Sequence, residues 1–247
     1  MRALLIQVRA PDDPMLSHEA DCVKTRMGGR DIAFTTRNAV PEPADPSWLD
    51  GVDLLFIGGS GDFSVHHPKS EPWVTPLRRV LDRALSDGLP GLAICFGHQM
   101  LGLHLGHPVA TIPAHAELGT VEVELTAAGK TCPVFSGLGA RFWVHTGHSD
   151  HVTGIPNEVT LLAQNAALRT QAFRVTGTPF YSTQFHPDMT GQEARDRYLS
   201  YRQHFTDGDL ELALANAAKF TPGQDASCDL IGRVTDLALG RLPAPGV

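Results

Sequence analysis

Two stretches of the chain carry side chains able to do covalent chemistry. In GLAICFGHQM (91–100) an apolar run ends at Cys95 and changes character at Phe96-Gly97; Gln99, Met100, Leu103 and Leu105 then fall at helical spacing. A cysteine at a bend between strand and helix is lifted clear of the sheet, and the helix N-terminus favours thiolate over thiol. The same position also suits a cysteine merely buried at a strand end, because Cys is among the most buried residue types. A thiol nucleophile needs a base, and the chain has twelve histidines. His186, in YSTQFHPDM (181–189), stands out: a strand runs into it, Pro187 forces an extended exit, and Asp188 lies two residues on. A strand-end histidine is commonly structural, but this context paired with the cysteine bend gives nucleophile, base and orienting acid in that order. Such a set attacks a carbonyl carbon and carries the acyl group as a thioester.

The elements that must position these groups read as an α/β pattern. Residues 2–8, 53–57 and 91–95 are continuous apolar runs, predicted as strands. Helices are predicted over about 15–27 and 72–87, the second with Pro72 in its first turn and Gly88 past its end. Apolar strands separated by helices indicate a parallel sheet covered on both faces, with ligands at the carboxyl ends of its strands. The glycine-rich residues 58–61 and Cys95 both fall at that edge. Residues 118–125 alternate strictly, as do parts of 159–164 and 171–185, which predicts antiparallel or edge strands. From about 191 the pattern returns to helix: 191–205, 209–220 and a last one near 226–240. The segment 209–220 holds Leu210, Leu212, Leu214, Ala217 and Phe220, more apolar surface than a free tail exposes, and is expected to cover the domain or a partner. The reading is one α/β domain over 1–207 with a helical C-terminal extension over 208–247.

Composition narrows the function classes. The chain has 247 residues, 42% hydrophobic and 19% charged, ordinary for a globular protein with a substantial core. A formal charge of −7 without a Lys/Arg cluster argues against nucleic acid. No apolar run approaches the roughly 18 residues of a membrane span, and the first strand is too short in its apolar part for a signal peptide. Cys22, Cys95, Cys132 and Cys228 are scattered with no CxxC pair, which fits a reducing, cytoplasmic setting.

Taken together, these stretches resemble the class I (triad) glutamine amidotransferases over roughly residues 2–205. The family's elbow, G-x-C-x-G-x-Q, is matched by residues 93–99, with Ala93 for the first glycine. Its Q-F-H-P-E strand end is matched by Gln184-Phe185-His186-Pro187-Asp188, with Asp188 for glutamate. Its glycine-rich oxyanion loop is matched by residues 57–62, and a fourth element by His148-Ser149-Asp150. The resemblance implies a flavodoxin-like three-layer αβα fold with a mostly parallel sheet. It implies that Cys95 attacks the γ-carboxamide of glutamine, that His186 and Asp188 complete the triad, and that the main-chain N–H groups of Gly59 and Phe96 hold the oxyanion. Gly61, Gln99, Ser149 and Asp150 would bind the substrate; no cofactor and no metal is called for.

Rival readings are weaker. An α/β-hydrolase places its acid before the histidine, whereas here it follows. The spacing of His145, His148 and His151 invites zinc but lacks a matching acidic or cysteine ligand. Residues 58–61 lack the Lys-Ser/Thr of a nucleotide loop. Three functions share the fold: a stand-alone hydrolase of glutamine or another γ-glutamyl compound, the reading preferred from sequence; a glutaminase subunit delivering ammonia to a separate synthase; and a catalytically weak binding or regulatory homologue. A synthase subunit or a second copy of the chain is the expected macromolecular partner.

Overall fold

The computed structural model describes residues 1–244; residues 245–247, the end of the expected extension, lie outside the described residues. The strands are β1 (Arg2–Gln7), β2 (Ala33–Asn38), β3 (Leu54–Ile57), β4 (Gly91–Ile94), β5 (Val109–Thr111), β6 (Glu117–Leu125), β7 (Arg141–His148), β8 (Asp150–Val152), β9 (Val159–Gln164), β10 (Ala172–Val175) and β11 (Phe180–Thr183). The helices are α1 (Met15–Arg26), α2 (Glu71–Ser86), α3 (Phe96–His104), α4 (Ala127–Thr131), α5 (Gly191–Ser200), α6 (Arg202–Thr206), α7 (Leu210–Ala217) and α8 (Asp229–Ala238).

Nine strands form one sheet in the order β2-β1-β3-β4-β11-β10-β9-β6-β7, and β5 pairs with β8 apart from it. The strands from β2 to β11 run parallel. From β10 outward the sheet is antiparallel. This is the expected parallel core, with the alternating segments added along one side. β3, β4 and β11 are buried throughout, which is why they read as unbroken apolar runs.

Successive residues of each strand serve opposite faces. Leu5, Leu54, Phe56, Leu92 and Ile94 pack with Val23 and Met27 of α1 and with Leu230, Ile231, Val234 and Leu237 of α8. Leu4, Ile6, Leu55, Ile57 and Ala93 pack with α2 (Leu77, Val80, Leu81) and α3 (Met100, Leu101). The result is three layers, helix–sheet–helix. α8 of the C-terminal extension lies in the same core as the strands that precede the site. α7 buries Ala213 and Ala217, with Phe220 just beyond it, while Leu210, Leu212 and Leu214 stay exposed. The apolar surface of 209–220 is thus only half covered by its own domain. Among the described residues no helix is long and apolar enough to cross a membrane.

Candidate active site

β4 ends at Ile94 and α3 begins at Phe96, so the whole change of direction falls on Cys95. Its φ is +51° and its ψ −99°. Only one other described non-glycine residue, Asp207, has a positive φ. Holding an L-residue in such a region costs on the order of 1–3 kcal/mol, and the surrounding structure must impose it. It does: the Cys95 N–H donates to Thr183 O at 2.8 Å, and Cys95 O accepts from the Gln99 N–H at 3.0 Å. Gly97 is squeezed against β3, where a Cβ would stand 2.5 Å from Ile57 O. Ala93, small and fully buried, closes the turn where the family carries glycine.

His186 leaves the end of β11, and its N–H donates to His145 O at 2.9 Å, fixing the backbone. Its Nδ1–H donates to Asp188 Oδ1 at 2.9 Å, which leaves Nε2 as the nitrogen available to the thiol. The tight His-Pro-Asp turn lets the short aspartate side chain reach. Asp188 in turn accepts from Arg197 Nη2 of α5 on its other oxygen, at 3.1 Å. Burial alone would push the His186 pKa down, but the Asp188 carboxylate and the Cys95 thiolate outweigh it and raise it to about 9. Burial likewise opposes the charge on Asp188, yet His186 and Arg197 hold it well below the usual carboxylate range. The pair is therefore poised as imidazolium and thiolate. Gln184, buried beside them, donates from Nε2 to Cys95 Sγ at 3.7 Å and accepts from Gln99 Nε2 at 3.3 Å.

A cavity of about 440 Å³ opens onto this group, and Cys95, Phe96, His186, Gly61, Gln99, Ser149 and Asp150 all reach its wall. Asp188 stands behind His186 rather than on the wall. The Asp150 carboxylate, partly desolvated, is kept charged by Ser64, by Thr111 Oγ1 at 2.5 Å and by His66. It is a suitable counter-charge for a substrate ammonium. Gln99 also donates to Asp150 O at 2.7 Å, which ties α3 to that wall.

The oxyanion expectation is met in one half and corrected in the other. The Phe96 N–H opens α3 and has no helical partner. The Gly59 N–H does not face Cys95; it donates to Glu19 Oε1 at 3.0 Å. A buried, charged carboxylate is a strong acceptor and claims this amide. Gly59 is nevertheless close to the dyad, since a Cβ there would lie 2.8 Å from His186 Cε1 and 3.8 Å from Cys95 Cβ. Sequence reasoning also missed the roles of Gln184, Arg197 and Glu19. Gln184 lay inside the motif already quoted, whereas nothing in the helical patterns of α1 and α5 marks Glu19 or Arg197 as buried. His145 bonds Asp225 and Thr120, and His148 bonds Glu117, so the two rings face separate partners.

Comparison with known proteins agrees with this arrangement. The family model "Glutamine amidotransferase class-I" matches residues 35–203. The chain belongs to that family. It is 30% identical over 173 residues to the glutamine-hydrolysing subunit of GMP synthase from Thermoplasma acidophilum, a match covering 70% of this chain and 81% of that one. The corresponding protein from Methanothermobacter thermautotrophicus is 34% identical over 101 residues, covering 41% of this chain and 52% of the relative. Among solved structures, a glutamine amidotransferase from Thermotoga maritima superposes with a TM-score of 0.73 at 19% identity, covering 97% of this chain and 98% of that one. One from Methylobacillus flagellatus gives 0.73 at 16% identity, covering 100% and 97%. These structural likenesses carry the fold.

Proposed function

We propose that the chain hydrolyses the side-chain amide of glutamine through a γ-glutamyl thioester on Cys95 and supplies the ammonia to a synthase on another chain. The observation that carries the chemistry is Cys95 at a positive φ between β4 and α3, beside a histidine whose carboxylate partner is itself fixed. The thiolate attacks the γ-carbonyl carbon while the Phe96 N–H receives the developing oxyanion. His186 then passes its proton to the departing ammonia and takes one from the water that cleaves the thioester, yielding glutamate. Asp150 pairs with the α-ammonium, and Gly61, Gln99 and Ser149 shape the wall around the amino-acid end. Asp188 and Arg197 hold the imidazole.

Two findings move the preference from a stand-alone hydrolase to ammonia supply. Curated relatives are glutamine-hydrolysing subunits of a synthase. The oxyanion loop is also not preformed, because the Gly59 amide is turned to Glu19, as suits an enzyme that should not release ammonia idly. A hydrolase of larger γ-glutamyl compounds is the second reading. It is favoured by the cavity, whose 440 Å³ lies in the range that holds drug-sized ligands and exceeds what glutamine needs. Ammonia release from glutamine, measured for the chain alone and with added cell extract, separates the two. Slow turnover that extract accelerates, and that Cys95→Ala abolishes in both conditions, supports ammonia supply. Turnover of γ-glutamyl dipeptides faster than glutamine and indifferent to extract overturns it in favour of the hydrolase.

A further inference from the structure

Glu19 belongs to α1 and is 1% exposed, yet it carries a charge. Its Oε1 accepts from the Gly59 N–H and from Arg9 Nη2, both at 3.0 Å. Its Oε2 accepts from Arg9 Nε and Gln7 Nε2, again at 3.0 Å. Gly58 has to be glycine for the carboxylate to come so close, since a Cβ there would stand 2.6 Å from Oε1. The same Gly58–Gly59 peptide offers its carbonyl to the Gly97 N–H at 3.1 Å. Its N–H thus points at α1 and its C=O at the start of α3, so it gives nothing to an oxyanion at Cys95.

We infer that Glu19 is a latch on the oxyanion loop: it holds the Gly59 amide out of the site, and glutamine hydrolysis requires that peptide to turn toward Cys95. The inference rests on Cys95 being the glutamine-directed nucleophile. An oxyanion donor must come within about 2.7–3.1 Å of the developing charge. Gly59 already touches His186 and Cys95, so rotating one peptide delivers its N–H with no change in the path of the chain. Glycine on both sides of that peptide permits the rotation.

The latch is connected to the cavity. Arg9, which grips Glu19 with two nitrogens, also bonds the Tyr201 hydroxyl, and it meets Asp13 Oδ2 at 3.2 Å. The Tyr201 hydroxyl donates to Asp13 at 2.7 Å, and its ring lies directly against Gly61. Arg9, Gly61 and Tyr201 all reach the cavity wall. Whatever fills the cavity therefore meets the network that keeps Glu19 in place. Glu19 is a positioning residue acting through Gly59.

The test uses the full chain with Glu19→Gln, which keeps the shape and removes the charge, and the double variant Arg9→Met/Glu19→Met, which removes the pair at similar volume. Thermal melting establishes that each is folded. Turnover of glutamine gives kcat and KM, and labelling by 6-diazo-5-oxo-L-norleucine, a glutamine-like diazoketone, reports whether Cys95 is addressed. A charge-assisted bond is roughly twice as strong as a neutral one, so Glu19→Gln should raise kcat by about tenfold with KM little changed. A merely structural glutamate would lower kcat when altered. Unchanged or lowered kcat in folded Glu19→Gln that still labels at Cys95 overturns the latch alone. Wild-type protein that does not label at Cys95 overturns the glutamine-directed nucleophile, and the latch falls with it. If the double variant does not fold, Glu19→Gln decides by itself.

Discussion

Arg197 Nη2 lies 3.1 Å from Asp188 Oδ2, the carboxylate oxygen that His186 does not use. Both side chains are almost completely buried. Removing one member of a buried pair typically destabilises by about 3–5 kcal/mol, because the other is left without a counter-charge. Arg197→Met is therefore expected to lower stability in urea unfolding by about that amount and to reduce kcat. The same geometry bears on the aspartate that stands where the family carries glutamate. From sequence alone Asp188→Glu reads as a tolerated change. Here the carboxylate is wedged between His186 and Arg197 at 1% exposure, and an added methylene must displace one of them. Overpacking of this kind costs roughly 1–3 kcal/mol, so Asp188→Glu should lower kcat rather than raise it.

The raised pKa of His186 sets the alkaline limit of activity. Below about 9 the imidazolium keeps the proton that ammonia needs; as pH rises through that value the proton, and with it the paired thiolate form, is lost. The pH profile of kcat/KM should fall with a midpoint near 9, not near the ordinary histidine value of about 6.5. Asp188→Asn removes the charge chiefly responsible, so the limb should shift downward while kcat drops by up to about 10⁴-fold. A limb that stays near 9 in Asp188→Asn means another group sets it.

Gly59→Ala tests how closely the loop approaches the base. The new methyl would sit 2.8 Å from His186 Cε1, and the ring must move to accommodate it. A displacement of about 1 Å can cost on the order of a hundredfold in rate. Loss of turnover with little change in melting temperature is expected; full activity would mean that the ring does not need its present position.

The four cysteines should behave unequally. Burial pushes Cys22 up to about 12 and Cys228 up to about 11, so both stay as unreactive thiols near neutrality. Iodoacetamide at neutral pH should modify Cys95 first, and Cys22→Ala, Cys132→Ala and Cys228→Ala should each retain glutamine turnover. Activity loss in any of these three, in a folded protein, contradicts the assignment of Cys95 as the sole nucleophile.

The parallel half of the sheet was legible because β1, β3 and β4 are covered on both faces and must be apolar throughout. β2 was not: AFTTRN is a largely exposed edge strand held by its pairing with β1, so it carries no burial signal. The triad was legible because its members sit at the ends of recognisable strands, with Asp188 two residues from His186. The supporting shell was not. Arg9, Glu19 and Arg197 are charged residues of a kind usually found in solvent, and their burial depends on one another across β1, α1 and α5 rather than on local pattern. The direction of the Gly59 amide was invisible for the same reason, since its acceptor lies forty residues away.

The central claim is that Cys95 carries the γ-glutamyl group during turnover. The direct measurement is to mix the protein with isotopically labelled glutamine, quench with acid, and map the label by mass spectrometry of proteolytic fragments. A γ-glutamyl adduct on the fragment containing Cys95, discharged by hydroxylamine and missing in Cys95→Ala, is the predicted result. Ammonia release from glutamine that persists in Cys95→Ala, with no adduct on that fragment in the unaltered protein, would contradict the account.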